Sequence, residues 1–157
     1  MVSSLNPKHP IGSAAMQPEA SQGRLAPLEA MKPPQGFKVV ELHAIGPVPF
    51  AGYILGQLGA QVIRVSPPAD PQLGVGVSER FDSLNSNKSA QALDLKTSDG
   101  LATLEVLLRD ADLLLEGFRP GVLERLGLDP KSLLARHPRL VIGRLSGWGE
   151  RGVWANR

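Results

Sequence analysis

From residue 36 onward, five short apolar runs alternate with segments whose apolar residues recur at helical spacing. That alternation is the tightest constraint the sequence places on the fold. Antiparallel neighbours can be joined by a tight turn, whereas parallel neighbours need a long crossover, usually a helix. The runs are Lys38-Val39-Val40-Glu41-Leu42, Gln61-Val62-Ile63-Arg64-Val65, Ala90-Gln91-Ala92-Leu93-Asp94-Leu95, Asp112-Leu113-Leu114-Leu115-Glu116 and Arg139–Leu145. Between the first two, Phe50–Leu58 reads as a helix stopped by Gly59, entered through a loop over His43–Pro49. Pro47 and Pro49 suit that entry, because a first helical turn tolerates a missing N–H. Thr97-Ser98-Asp99 supplies N-cap chemistry for a helix whose apolar face is Leu101, Leu104, Leu107 and Leu108. Val122–Leu126, closed by Gly127, and Pro130–Arg136 read as two short helices. The pattern predicts an α/β fold, an open parallel sheet with flanking helices.

Two stretches stand outside the alternation. Residues 1–35 are rich in Pro, Ser, Ala and Gln and pass through Lys32-Pro33-Pro34 without a sustained apolar period. Such a segment buries too little apolar surface to offset its ordering entropy, so a disordered tail is expected, with a weak helical turn near Leu25–Met31. Met31, just upstream of the first strand, is a candidate native start. Asp70–Lys88 is polar and aperiodic and reads as an excursion over the surface. The expected organisation is a tail over 1–35 and one α/β domain over 36–157.

Composition narrows the function classes. No cysteine is present, which excludes disulfides and thiolate chemistry and points to a reducing cytoplasm. No apolar run approaches the roughly 20 residues of a membrane span, and no signal-peptide pattern opens the chain. A net charge of only +2 with 4% aromatic residues argues against a nucleic-acid partner. Three scattered histidines without ligand spacing argue against a metal site.

Open parallel sheets bind ligands at the carboxyl ends of their strands. Here those ends are His43–Pro49, Ser66–Ala69, Lys96–Asp99, Glu116–Gly121 and Ser146–Gly149. Lys96 and Arg119 are placed to hold an anion beside helix N-termini. The plainer alternative is that both are solvated strand-end charges, and the residue pattern alone favours it. No GxGxxG or GxxxxGK[ST] occurs, so dinucleotide and P-loop fingerprints are absent. His43 ends the first strand without an evident partner, and His137-Pro138 reads as a helix-ending turn. Glu41 and Glu116, both at strand ends, are candidates for a carboxylate pair, although no spacing demands it. Trp148 and Trp154 read as packing residues rather than a stacking platform. The residues by themselves support an anion-binding α/β domain with no identifiable catalytic set.

Four ordered blocks also resemble a known family. Val39-Val40-Glu41-Leu42 leading to Gly46-Pro47, then Leu58-Gly59-Ala60-Gln61-Val62-Ile63-Arg64-Val65, is similar to the opening of family III CoA-transferases, the CaiB/BaiF type. Asn85-Ser86-Asn87-Lys88-Ser89, followed by Ala92-Leu93-Asp94-Leu95-Lys96, resembles its "N-x-N-K … LDLK" segment. Ala111–Gly121 with Glu124-Arg125-Leu126-Gly127-Leu128 resembles the "ADVLLENFRPG … RLGL" block. His137-Pro138-Arg139-Leu140 with Leu145-Ser146-Gly147-Trp148-Gly149 resembles the next one. The Arg64 strand, Gly117–Val122 and Arg144–Gly149 lean towards the α-methylacyl-CoA racemase branch.

The resemblance implies a Rossmann-like domain, truncated relative to the family, that binds the nucleotide part of coenzyme A. It places CoA contacts on Leu93, Asp94, Leu95 and Lys96, and on Gly117, Phe118, Arg119 and Arg125. Lys96 and Arg119 then become phosphate partners rather than idle charges. Pro67 departs from the family, where a basic residue often stands. The implied partner is an acyl-CoA thioester, with homodimerisation in full-length members. The implied parent reaction is 2-methylacyl-CoA racemisation by two-base proton exchange, with CoA transfer between carboxylic acids as the alternative. The family's catalytic His/Asp pair and nucleophilic Asp fall in segments beyond Arg157. No catalytic residue is therefore expected in this stretch, which would act as a CoA-binding fragment.

Overall fold

The computed structural model describes residues 33, 35–69 and 81–155. Met31, all of the tail expected over residues 1–35 except Pro33 and Gln35, and residues 70–80 of the expected excursion lie outside the described residues. Among the described residues, nine elements follow in chain order: β1 (Lys38–Leu42), α1 (Pro47–Gln57), β2 (Gln61–Ser66), β3 (Ser89–Ala92), α2 (Ser98–Arg109), β4 (Leu113–Glu116), α3 (Val122–Arg125), α4 (Pro130–Arg136) and β5 (Val141–Arg144). The five strands form one sheet of order β3-β2-β1-β4-β5, and every pairing is parallel. This is the α/β fold that the alternation predicts. Strand order reverses at β1, so a topological switch point opens beyond the carboxyl ends of β1 and β4.

Both faces of the sheet are covered, as a parallel sheet requires. In the register, Glu41 sits opposite Leu115 and Val39 opposite Leu113, so these share the face that packs on α1. Val39, Val48, Ala60, Val62 and Leu115 form that core. Val40, Leu42 and Leu114 point the other way, into a larger core with Leu104 and Leu108 of α2, Leu123 of α3 and Leu133 of α4. The apolar stripe at Leu104 and Leu108 is therefore what seats α2 on the sheet.

Two boundaries differ from the sequence expectation. Helix α1 starts at Pro47 rather than Phe50, both prolines lying in its first turns. Strand β3 starts at Ser89 and ends at Ala92, so Leu93–Leu95 belongs to the following loop. The last ladder bond runs from Leu93 N–H to the Ser66 carbonyl at 2.8 Å. Beyond it, Asp94 redirects the chain: its Oδ1 accepts the Lys96 N–H at 3.0 Å, and its carbonyl accepts the Thr97 hydroxyl at 2.8 Å. Such a side-chain turn competes directly with continued strand pairing.

Candidate ligand-binding end of the sheet

Because all five strands run the same way, the loops after β1, β3, β4 and β5 gather along one edge of the sheet. The eight residues implied as CoA contacts fall into two groups on that edge. Leu93–Lys96 follows β3, and Gly117–Arg119 with Arg125 follows β4. Three strand spacings separate β3 from β4, a span of about 14 Å.

In the first group the side chains divide. Leu93 is buried in the core and Leu95 packs against it, whereas Asp94 and Lys96 are exposed. The loop is held by its own hydrogen bonds. The Thr97 hydroxyl oxygen accepts Gly100 N–H at 3.1 Å and caps α2. A Cβ at Gly100 would overlap the Asp94 carbonyl, so only glycine lets the helix start this close to the loop. Lys96 stands at the helix entrance with no ion pair among the described residues.

The second group is drawn together by the turn after β4. Gly117 passes against the start of α1 and the connection before it, where a Cβ would lie 2.7 Å from Val48 Cγ2 and 3.2 Å from Ala44 Cβ. Phe118 packs on the larger core. The Arg119 carbonyl accepts Val122 N–H at 3.1 Å, and its side chain is exposed. Arg125 folds back over the turn, its Nη1 lying 3.2 Å from where a Gly121 Cβ would be. Two guanidinium groups, Arg119 and Arg125, thus flank one turn. Cations so placed suit a phosphate, through charge-assisted hydrogen bonds.

Glu41 and Glu116 are both buried, but they do not form the carboxylate pair that their strand-end positions suggested. Glu41 shares the α1 face with Leu115, and Glu116, one residue further along β4, faces the opposite side. Each has its own cation instead. Lys88 Nζ donates to Glu41 Oε1 at 2.9 Å and Oε2 at 2.7 Å, to the Pro49 carbonyl at 2.9 Å and to Asn85 Oδ1 at 3.2 Å. Both side chains of this pair are only 1% exposed. Burial pushes the Glu41 carboxyl above its ordinary range against the pull of Lys88, and pushes the Lys88 ammonium below its own. Lys88 is thus buried, contrary to the expectation that the stretch up to it runs over the surface. The reason is on α1: Gly52 leaves the space that the Glu41 carboxylate fills, and Gly56 leaves the space for the Asn87 amide. Asn87 Nδ2 there donates to the Tyr53 carbonyl at 3.3 Å.

Glu116 Oε1 accepts Arg144 Nε at 2.5 Å, and its Oε2 accepts Phe118 N–H at 2.8 Å. Arg144 also reaches Glu124 Oε1 at 2.9 Å and Glu150 Oε2 at 3.2 Å. Lys88 and Arg144 are the residues that reading the sequence missed. A charge inside a buried strand requires a partner, so Glu41 and Glu116 signalled that cations must exist without saying which.

The remaining candidates have local roles. His43 N–H donates to the Val65 carbonyl at 2.7 Å. His137 caps α4, and its Nε2 lies 2.7 Å from Glu105 Oε2. Trp148 and Trp154 pack on each other with ring centroids 5.9 Å apart. Among the described residues, no group of His, Asp and Glu stands together as a metal site, and no helix is long and apolar enough to cross a membrane.

Comparison with known proteins places this geometry in a family. The chain is 43% identical over 121 residues to α-methylacyl-CoA racemase of Mus musculus, covering 77% of this chain and 30% of the relative. It is 35% identical over 142 residues to succinyl-CoA–D-citramalate CoA-transferase of Chloroflexus aurantiacus, covering 83% and 35%. The crystal structure of Rv3272 from Mycobacterium tuberculosis superposes with a TM-score of 0.70 at 35% identity, over 80% of this chain and 38% of that one. A CaiB/BaiF family protein from Brucella suis superposes with a TM-score of 0.69 at 34% identity, over 78% and 35%. The chain spans about a third of the length of these relatives. The sequence model of CoA-transferase family III matches residues 35–157, and with these likenesses it shows that the chain belongs to that family.

Proposed function

We propose that residues 36–157 form the CoA-binding domain of an acyl-CoA-processing enzyme, with the nucleotide part of CoA laid along the carboxyl edge of the sheet. Lys96, Arg119 and Arg125 pair with its phosphates. Leu93, with its side chain in the core, and Asp94 and Leu95 offer backbone groups, while Gly117 and Phe118 shape the turn. The observation that carries this reading is the pair of exposed cation groups on one strand-end edge, flanking the switch point. An extended, multiply charged ligand suits two anchors about 14 Å apart better than a compact anion does.

We assign 2-methylacyl-CoA racemisation by two-base proton exchange as the parent reaction. The second reading is CoA transfer between carboxylic acids, supported by the likeness to a succinyl-CoA-dependent transferase. Both readings share acyl-CoA as the bound partner and assign this domain binding and orientation rather than proton or acyl transfer. Calorimetric titration with CoA tests the site. Lys96→Ala and Arg119→Ala should each weaken binding by roughly 1–3 kcal/mol, the value of a charged hydrogen bond. Unchanged affinity in both variants overturns the assignment.

A further inference from the structure

We infer that Arg144 is a positioning residue for this site, holding the turn after β4, helix α3 and the segment after β5 in one arrangement through a single guanidinium. The inference rests on the reading that Gly117–Arg119 and Arg125 meet CoA. Arg144 lies beside Glu116 in the β4–β5 register, so the two side chains meet laterally on one face of the sheet. Its three links lead to three different segments. Through Glu116, whose other oxygen accepts Phe118 N–H at 2.8 Å, it fixes the backbone that presents Gly117 and Arg119. Through Glu124 it fixes α3 at the residue next to Arg125. Through Glu150 it fixes the chain just after Ser146–Gly149.

Charge gives the second reason. Three carboxylates crowd the place where the site needs positive potential, and Arg144 is the cation that engages all of them. The guanidinium is planar and directs Nε and Nη1 to different acceptors from one rigid fork. A lysine presents a single ammonium on a flexible stem and cannot reproduce that spread. Arg144 is 18% exposed and Glu116 is 1% exposed, so the link between them is set mostly out of water, where it holds geometry, while Glu124 and Glu150 extend it to the exposed surface.

The test uses the full chain and calorimetric titration with CoA. Arg144→Lys keeps the charge and should lower CoA affinity about tenfold, within the coupling range of directly connected groups. The Phe118 amide should exchange faster with solvent in that variant. Combined with Arg119→Ala, the loss should fall short of the sum of the two single losses, whereas combined with Lys96→Ala it should equal the sum. Full additivity with Arg119→Ala, or unchanged affinity in Arg144→Lys, overturns the inference. Should Arg144→Lys fail to fold, the cycle of Glu124→Gln with Arg125→Ala decides: non-additive losses support the hub and additive ones overturn it. If neither Lys96→Ala nor Arg119→Ala changes CoA affinity, the failure lies in the proposed binding site. If both weaken binding and Arg144→Lys does not, it lies in this inference alone.

Discussion

Two buried glutamates sit near the ends of adjacent strands, and the sheet separates them into different environments. Glu41 and Lys88 are sealed between β1 and α1, with the ammonium satisfied by Glu41, Pro49 and Asn85. Glu116 meets an arginine that also reaches the exposed Glu124 and Glu150, while its own second oxygen holds Phe118 N–H in the turn after β4. One pair closes on itself, and the other opens onto loops. The same charge pairing therefore serves packing on one face and loop geometry on the other. A sealed pair is poor evidence of net stability, since its desolvation offsets its attraction, yet breaking it is costly.

The largest effect should come from breaking the sealed pair. Lys88→Met leaves an uncompensated carboxylate in the interior and should destabilise the fold by about 3–5 kcal/mol, read from urea unfolding. Adding Glu41→Leu to that variant should recover most of the loss. If it does not, the pair carries more net stability than a buried ion pair usually does. A smaller loss is expected from Gly52→Ala, whose Cβ would overlap Glu41 Oε2. Overpacking of this kind costs about 1–3 kcal/mol, and Glu41→Leu should change that cost because the colliding group is gone.

The smallest effect concerns acid and a third, more open cluster. Burial pushes Glu105 up, but hydrogen bonds from Arg136 and His137 outweigh it and hold the carboxyl below its ordinary range. A lowered carboxyl contributes stability above its unfolded pKa, and that contribution is lost as pH falls through the lowered value. Stability should decline from about pH 4.3 downward, and Glu105→Gln should flatten that decline. Glu41 has the opposite sign. Its raised pKa contributes stability at low pH that is lost as pH rises through the raised value. An acid limb that responds to Glu41→Gln but not to Glu105→Gln would reverse the contrast between sealed and open pairs.

Strands and helices were legible wherever a local pattern decided them. Lys38–Leu42 has the limits read from its β-branched run, and Thr97 caps α2 as its residue type suggests. Pro47 and Pro49 hid the start of α1, because prolines fit a loop and a first helical turn equally well. Leu93–Leu95 looked like strand by alternation, but the Asp94 turn is a side-chain competition that periodicity does not register. Lys88 looked exposed because its neighbours in sequence are polar. Its burial depends on Glu41, 47 positions away, and on the space at Gly52. Whether Lys96 and Arg119 hold an anion was open in the residues alone, and the proposal that this anion is CoA comes from the family resemblance.

The chain's two tryptophans are Trp148 and Trp154, and they lie together past the end of β5. Tryptophan fluorescence, excited where Tyr53 does not absorb, therefore views a single corner of the molecule, the one tied to the sheet by Arg144 through Glu150, while circular dichroism averages over every helix and strand. Coincident unfolding curves from the two signals would mean that this corner melts with the whole domain. An earlier fluorescence transition would mean that it is a separable unit, with a stability of its own that ligand can be seen to raise.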